Sequence, residues 1–148
     1  MALPPLTARG DLPPGVHRAT LAETVARFGG PSLQRRLVAQ RLERIYALAR
    51  STGQLARFIV FGSFVTAAPQ PNDVDVFLLM DNDFDVRHLT GEVRLLFEHG
   101  VAQARFGASI FWLRRLAALG GEEETIGYWQ ITRAGYRRGI VEIVEGQP

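Results

Sequence analysis

Gly62-Ser63-Phe64-Val65-Thr66-Ala67-Ala68-Pro69-Gln70-Pro71-Asn72-Asp73-Val74-Asp75-Val76 is the stretch on which the fold turns. Before it stands Arg57-Phe58-Ile59-Val60-Phe61, a short apolar run of β-branched and aromatic residues that reads as a buried strand. Val74 to Met80 reads as a second strand, and Pro69 and Pro71 keep the connection irregular. Gly62-Ser63 follows the first strand directly. Glycine lets backbone amides approach a ligand closely, a helix starting there would present unpaired N–H groups, and Ser63 adds a hydroxyl. That is a phosphate-binding arrangement. Asp73 and Asp75 lie two apart at the start of a strand, so both carboxylates point to one face. Such a pair repels unless a proton or a cation joins it. Mg²⁺ bound by one or two carboxylates and by substrate phosphates is a common solution. Val74, Val76 and Leu78 take the opposite face and anchor the strand in the core.

Working outward, residues 1–17 are rich in proline and glycine and aperiodic, which predicts an extended arm. Thr20-Leu21-Ala22-Glu23 has the spacing of a capping box and opens a short helix to about Phe28, ended by Gly29-Gly30-Pro31. Ser32 caps a longer helix with Leu33, Leu37, Val38, Leu42, Ile45, Tyr46 and Ala49 on its inner stripe. Leu89 to Ala104 predicts a further helix, facing inward through Val93, Leu96, Phe97 and Val101. Ala108 to Leu113 is a third strand, Gly120 to Thr125 an acidic flexible link, and Arg138 to Val144 a last strand. This order predicts an α+β fold, a mixed β-sheet with helices packed on it, in a single domain over 1–148.

Composition narrows the function. The hydrophobic fraction is 47% and the charged fraction 22%, ordinary globular values that exclude wholesale disorder. Cysteine is absent, which excludes disulfides, thiol catalysis and cysteine-bound zinc. No apolar run approaches the ~20 residues of a membrane span, so a cytoplasmic protein without membrane contact is expected. Net charge is only +2, and all 17 basic residues are arginine, so lysine phosphate contacts and Schiff bases are excluded. That surplus gives little support to a nucleic-acid-binding regulator.

At Gly62-Ser63 and Asp73-x-Asp75 the chain resembles the nucleotidyltransferase superfamily with the DNA polymerase β-like fold. Leu12-Pro13-Pro14-Gly15, His17, Thr20, Thr66 and Gly139-Ile140-Val141 resemble a prokaryotic branch of it. The core of the likeness covers roughly residues 58–111. The resemblance implies a nucleoside triphosphate with its phosphates at Gly62, Ser63 and Thr66, and Mg²⁺ or Mn²⁺ held by Asp73 and Asp75 as metal-binding and catalytic residues. It implies transfer of a nucleotidyl group to a protein or RNA acceptor. Active members place a third carboxylate on a neighbouring strand, where this chain carries Ser109; Glu98, Glu92 or Asp81 would serve only if the fold brought one there. Ala67-Ala68 also lacks a basic side chain expected in this loop. The alternative is a degenerate nucleotide-sensing or partner-binding module of toxin–antitoxin or defence type.

The remaining residues read as structural. Asp81, Asp83, Asp85 and Glu92 copy the acid spacing of a calcium loop, but Val86 stands where the turn needs glycine, so a solvated loop is expected. His17, His88 and His99 show no metal-ligand spacing, although His17 would sit on an arm able to fold over the cleft. Ser63 lacks the elbow of a hydrolytic nucleophile. Arg35-Arg36, Arg114-Arg115 and Arg137-Arg138 read as solvated faces unless they cluster beside the cleft, and Trp112, Tyr128 and Trp129 as core or interface.

Overall fold

In a computed structural model that describes residues 3–146, five strands form one mixed sheet. They are β1 (Val16–Thr20), β2 (Leu55–Phe61), β3 (Val74–Met80), β4 (Ala108–Arg114) and β5 (Ile140–Val144). The spatial order is β1-β5-β2-β3-β4. β2 runs antiparallel to β5 and β3, whereas the pairs β1–β5 and β3–β4 are parallel. The helices are α1 (Leu21–Phe28), α2 (Leu33–Ser51), α3 (Glu92–Leu95), α4 (His99–Phe106) and α5 (Glu122–Tyr128).

Side-chain alternation gives the sheet two unlike faces. Phe58 and Val60 of β2 and Val74, Val76, Leu78 and Met80 of β3 pack under α1, α2 and α4, against Phe28, Val38, Leu42, Ile45 and Ala102. Each large side chain buried there contributes roughly 1.5–3 kcal/mol, so this face supplies most of the stability. The other face is thin: Ile59, Phe77, Leu79 and Ile140 pack with Ile126 of α5, and Val16, Ala56, Phe61, Leu113 and Trp129 are partly buried around them. Asp75 heads this second row, two residues before Phe77, at the end of the sheet where helical cover stops.

Several boundaries differ from the sequence expectation, each for a local reason. Of the arm predicted over 1–17, Met1 and Ala2 lie outside the described residues. Of the rest, Leu3 and Leu12 are buried while residues 7–9 are exposed, and Val16 and His17 already belong to β1, paired with Ile140 and Val141 of β5. Thr20 ends β1 and caps α1, with the full reciprocal box to Glu23. The helix predicted over 89–104 is broken in two at Glu98, whose backbone is extended; the indole N–H of Trp112 donates to Phe97 O at 3.2 Å, and His99 Nδ1 meets Ile110 O. Gly120 to Thr125 is not a flexible link. Its acids Glu122, Glu123 and Glu124 fill the first turn of α5, where the helix dipole favours them. Leu33, Leu37 and Val101, expected inside, are exposed, and Arg35, expected on a solvated face, is buried. No described helix is long and apolar enough to cross a membrane.

Candidate functional site

The bend after β2 is built around Gly62, whose φ is +82°. An L side chain is strained there, and a Cβ would also overlap the Asp75 carboxylate, which lies directly over the glycine. Beyond it, Val65 N–H donates to Gly62 O and Thr66 N–H to Ser63 O, closing one 3₁₀ turn over Ser63–Val65. The expected helix start is therefore absent, and Ser63 brings a hydroxyl and a turn rather than a helix dipole.

A buried cation holds this loop from behind. Arg35 of α2 donates to the carbonyls of Phe28 and Phe64 through Nη1 at 3.0 and 2.9 Å. Through Nη2 it donates to Thr66 and Ala68 at 2.7 and 2.5 Å. Burial lowers the guanidinium pKa, and the carbonyl dipoles satisfy its donors. Thr66, expected to bind nucleotide, is buried instead; its hydroxyl donates to Ser63 O and accepts from Ala68 N–H, and it does not line the cavity over the carboxylates.

Asp73 and Asp75 come together as predicted, on the walls of an open cavity of about 510 Å³ with Gly62 and Ser63. Burial pushes Asp75 up to about 6, and the charge of Asp73 adds to this. The Ser109 hydroxyl, then Arg133 and Arg138, act in the opposite direction. Ser109 sits in register beside Asp75 on the parallel neighbour β4, where the third acid was sought. None of the proposed substitutes reaches it. Glu92 pairs with Arg44 and Arg105, Asp81 approaches Arg115 at 3.9 Å, and Glu98 is exposed. Among the described residues no group of three or more acidic or histidine side chains is placed to hold a metal. Two carboxylates remain. They are the residues that would hold a single divalent cation here, with water completing its coordination.

The opposite wall was not legible in sequence. After the buried Gln130, a tight loop is closed by the bridge between Ile131 and Arg137 and by Thr132 N–H to Tyr136 O at 2.9 Å. It carries Arg133 and Tyr136 to the cavity, and Arg138 follows it. The N-terminal arm braces this wall: Arg9 lies over the Tyr136 ring at 4.0 Å, and Asp11 faces Arg138 at 3.7 Å. Only Arg138 of the flagged arginine pairs gives signal here; periodicity had nothing to say about Arg133. His17, the histidine of the arm, turns away to Pro13 O at 2.6 Å, while His88 is exposed beside Asp85.

The acids with calcium-loop spacing have separate partners, Asp83 with Gln54 and Asp85 with Arg87. No curated protein and no solved structure matches this chain. A family model matches residues 4–144, so this chain, with its paired aspartates facing an arginine-bearing loop, belongs to DUF6932, a family of unknown function.

Proposed function

We propose that this protein binds a nucleoside triphosphate together with a divalent cation, Mg²⁺ or Mn²⁺, and acts as a nucleotide-responsive binding module. The observation that carries the reading is the carboxylate pair, Asp73 and Asp75, lining one open cavity with Arg133 and Arg138. The connectivity supports it: a Gly-Ser turn follows β2 and the acid-x-acid pair stands at the start of the next strand, β3, with Ser109 on the neighbouring β4, as the resemblance implies. A cation held by Asp73 and Asp75 would neutralise phosphate charge at the point where these carboxylates repel each other. Arg133 and Arg138 are placed to take phosphate oxygens, and Ser63 adds a donor.

Turnover is the weaker half of the resemblance. Ser109 supplies neither a third metal ligand nor a base for an attacking hydroxyl, and loss of a general base alone costs roughly 10²–10⁴-fold. Binding without efficient nucleotidyl transfer to a protein or RNA acceptor is the outcome these residues favour.

Calorimetric titration with ATP, CTP, GTP and UTP, with and without Mg²⁺, tests the proposal. Binding should require the cation and fall at least tenfold in Asp73→Asn. Equal affinity with and without Mg²⁺, or in wild type and variant, would remove the assignment. Ser109→Asp should tighten divalent-metal binding; unchanged metal affinity would show that the β4 position does not complete the site.

A further inference from the structure

The cleft has a second compartment of different chemistry. It measures about 280 Å³ and is walled by Phe61, Phe111, Trp129 and Ile131. Gly62, Asp75, Ser109 and Arg138 border it as well as the polar cavity, so one ligand can span both.

Its aromatic wall is rigid. The Trp129 ring lies against Phe61, Phe77 and Phe111 at centroid distances of 4.6, 5.3 and 5.0 Å. Phe111 is also backed by His99 at 4.9 Å. Yet Phe111 remains 37% exposed, on the sheet's edge strand at the mouth of this compartment. A second, independent feature lies in the same wall. The indole N–H of Trp129 and the hydroxyl of Thr132 are sealed from water and have no hydrogen-bond partner. Buried polar groups are nearly always paired, so two unpaired ones on residues of this wall are groups that a bound ligand would be able to satisfy.

We infer that this compartment holds the heterocyclic base of a nucleotide whose phosphates lie over Asp73 and Asp75. An aromatic wall with one partly exposed ring, Phe111, suits a planar ring. The unspent hydrogen-bonding groups suit ring nitrogens or carbonyl oxygens rather than an acyl chain. Arg133 and Arg138 at the shared border suit the anionic end of the same molecule. The inference rests on the nucleotide reading above and extends it to a site for the base.

The test separates the two. The intact protein is titrated in Mg²⁺ with ATP, CTP and inorganic tripolyphosphate, as wild type and as Phe111→Ala, Phe111→Leu and Phe111→Tyr. Nucleotides should bind wild type more tightly than tripolyphosphate does. Phe111→Ala should weaken nucleotides by about tenfold, in keeping with the loss of one stacking platform, and leave tripolyphosphate unchanged. Phe111→Tyr should restore affinity. Phe111→Leu keeps apolar volume without a ring; it should behave as Ala does and serves in its place should Ala fail to fold. Tripolyphosphate bound as tightly as ATP overturns the base site and leaves the nucleotide-phosphate reading standing. Equal loss of both probes in the Ala or Leu variant also overturns the base site. No Mg²⁺-dependent binding of any probe to wild type overturns both.

Discussion

Asp75 carries an energetic cost that nothing in the hydrophobic pattern explains. Its carboxyl is pushed from 3.8 to about 6, by burial first and by Asp73 second. The folded protein therefore holds the Asp75 proton more tightly than the unfolded chain does. Stability from this group is full below the unfolded value and is lost as pH rises through the folded one. Asp75→Asn keeps the shape without the charge. It should stabilise the metal-free protein at neutral pH by about 1–2 kcal/mol, after discounting for solvent contact, and flatten the melting temperature between pH 4 and 6. Melting curves across that window check this; an Asn variant that melts lower than wild type at neutral pH would mean the carboxylate is held by partners rather than strained. The pair itself was legible from its acid-x-acid spacing at a strand start, although Asp73 precedes β3 and only Asp75 lies within it. Arg133 was not, because its place depends on a loop closed by the Ile131–Arg137 bridge and leaves no periodic trace.

Helix α2 does more than cover the sheet. By reaching through Arg35 to four carbonyls, it fixes the loop that follows Gly62. Sequence reasoning read Arg35 as part of a solvated face, but it stands three, four and seven residues before Val38, Ala39 and Leu42, on the buried face of the helix, whereas Leu33 and Leu37 are exposed. A guanidinium is tolerated there because its charge finds several carbonyl dipoles. Arg35→Met would leave those carbonyls buried without their donor. Unfolding in urea should show a loss of about 2–4 kcal/mol, with amide exchange accelerated around residues 64–68. A loss confined to global stability, with that exchange unaltered, would deny the helix its role in shaping the loop. At residues 89–104 the apolar spacing found the buried Leu96 and Phe97 but not the exposed Val101, and the helix divides beside Phe97, whose carbonyl accepts from the Trp112 indole. At α5 the opposite error arose: three glutamates read as a solvated link are the favourable first turn of a helix.

The molecule as a whole is asymmetric across its sheet. One side is closed by α1, α2 and α4, and the other is thinly covered and bears the cleft. The mixed sheet was legible from the strand pattern, but β1 was not: it is short, follows a proline-rich arm, and joins the sheet by pairing with β5 more than a hundred residues away. A ligand bound on the thin side to the folded state alone should stabilise the entire fold. At a hundredfold excess over its dissociation constant the gain is about 2.7 kcal/mol, which for a chain of this size corresponds to roughly 5–10 °C in melting temperature. Mg²⁺ with nucleotide should produce that rise in wild type and fail to do so in Asp73→Asn.

The two tryptophans are divided by the same asymmetry. Trp112 packs among Phe84 and Phe97 on the helix-covered side, while Trp129 joins Phe61, Phe77 and Phe111 on the other. Each is a natural fluorophore confined to one layer. Replacing either one with phenylalanine leaves a single emitter, so the wavelength of its light distinguishes loosening where α3 gives way to α4 from rearrangement beside the aspartates, without any added dye.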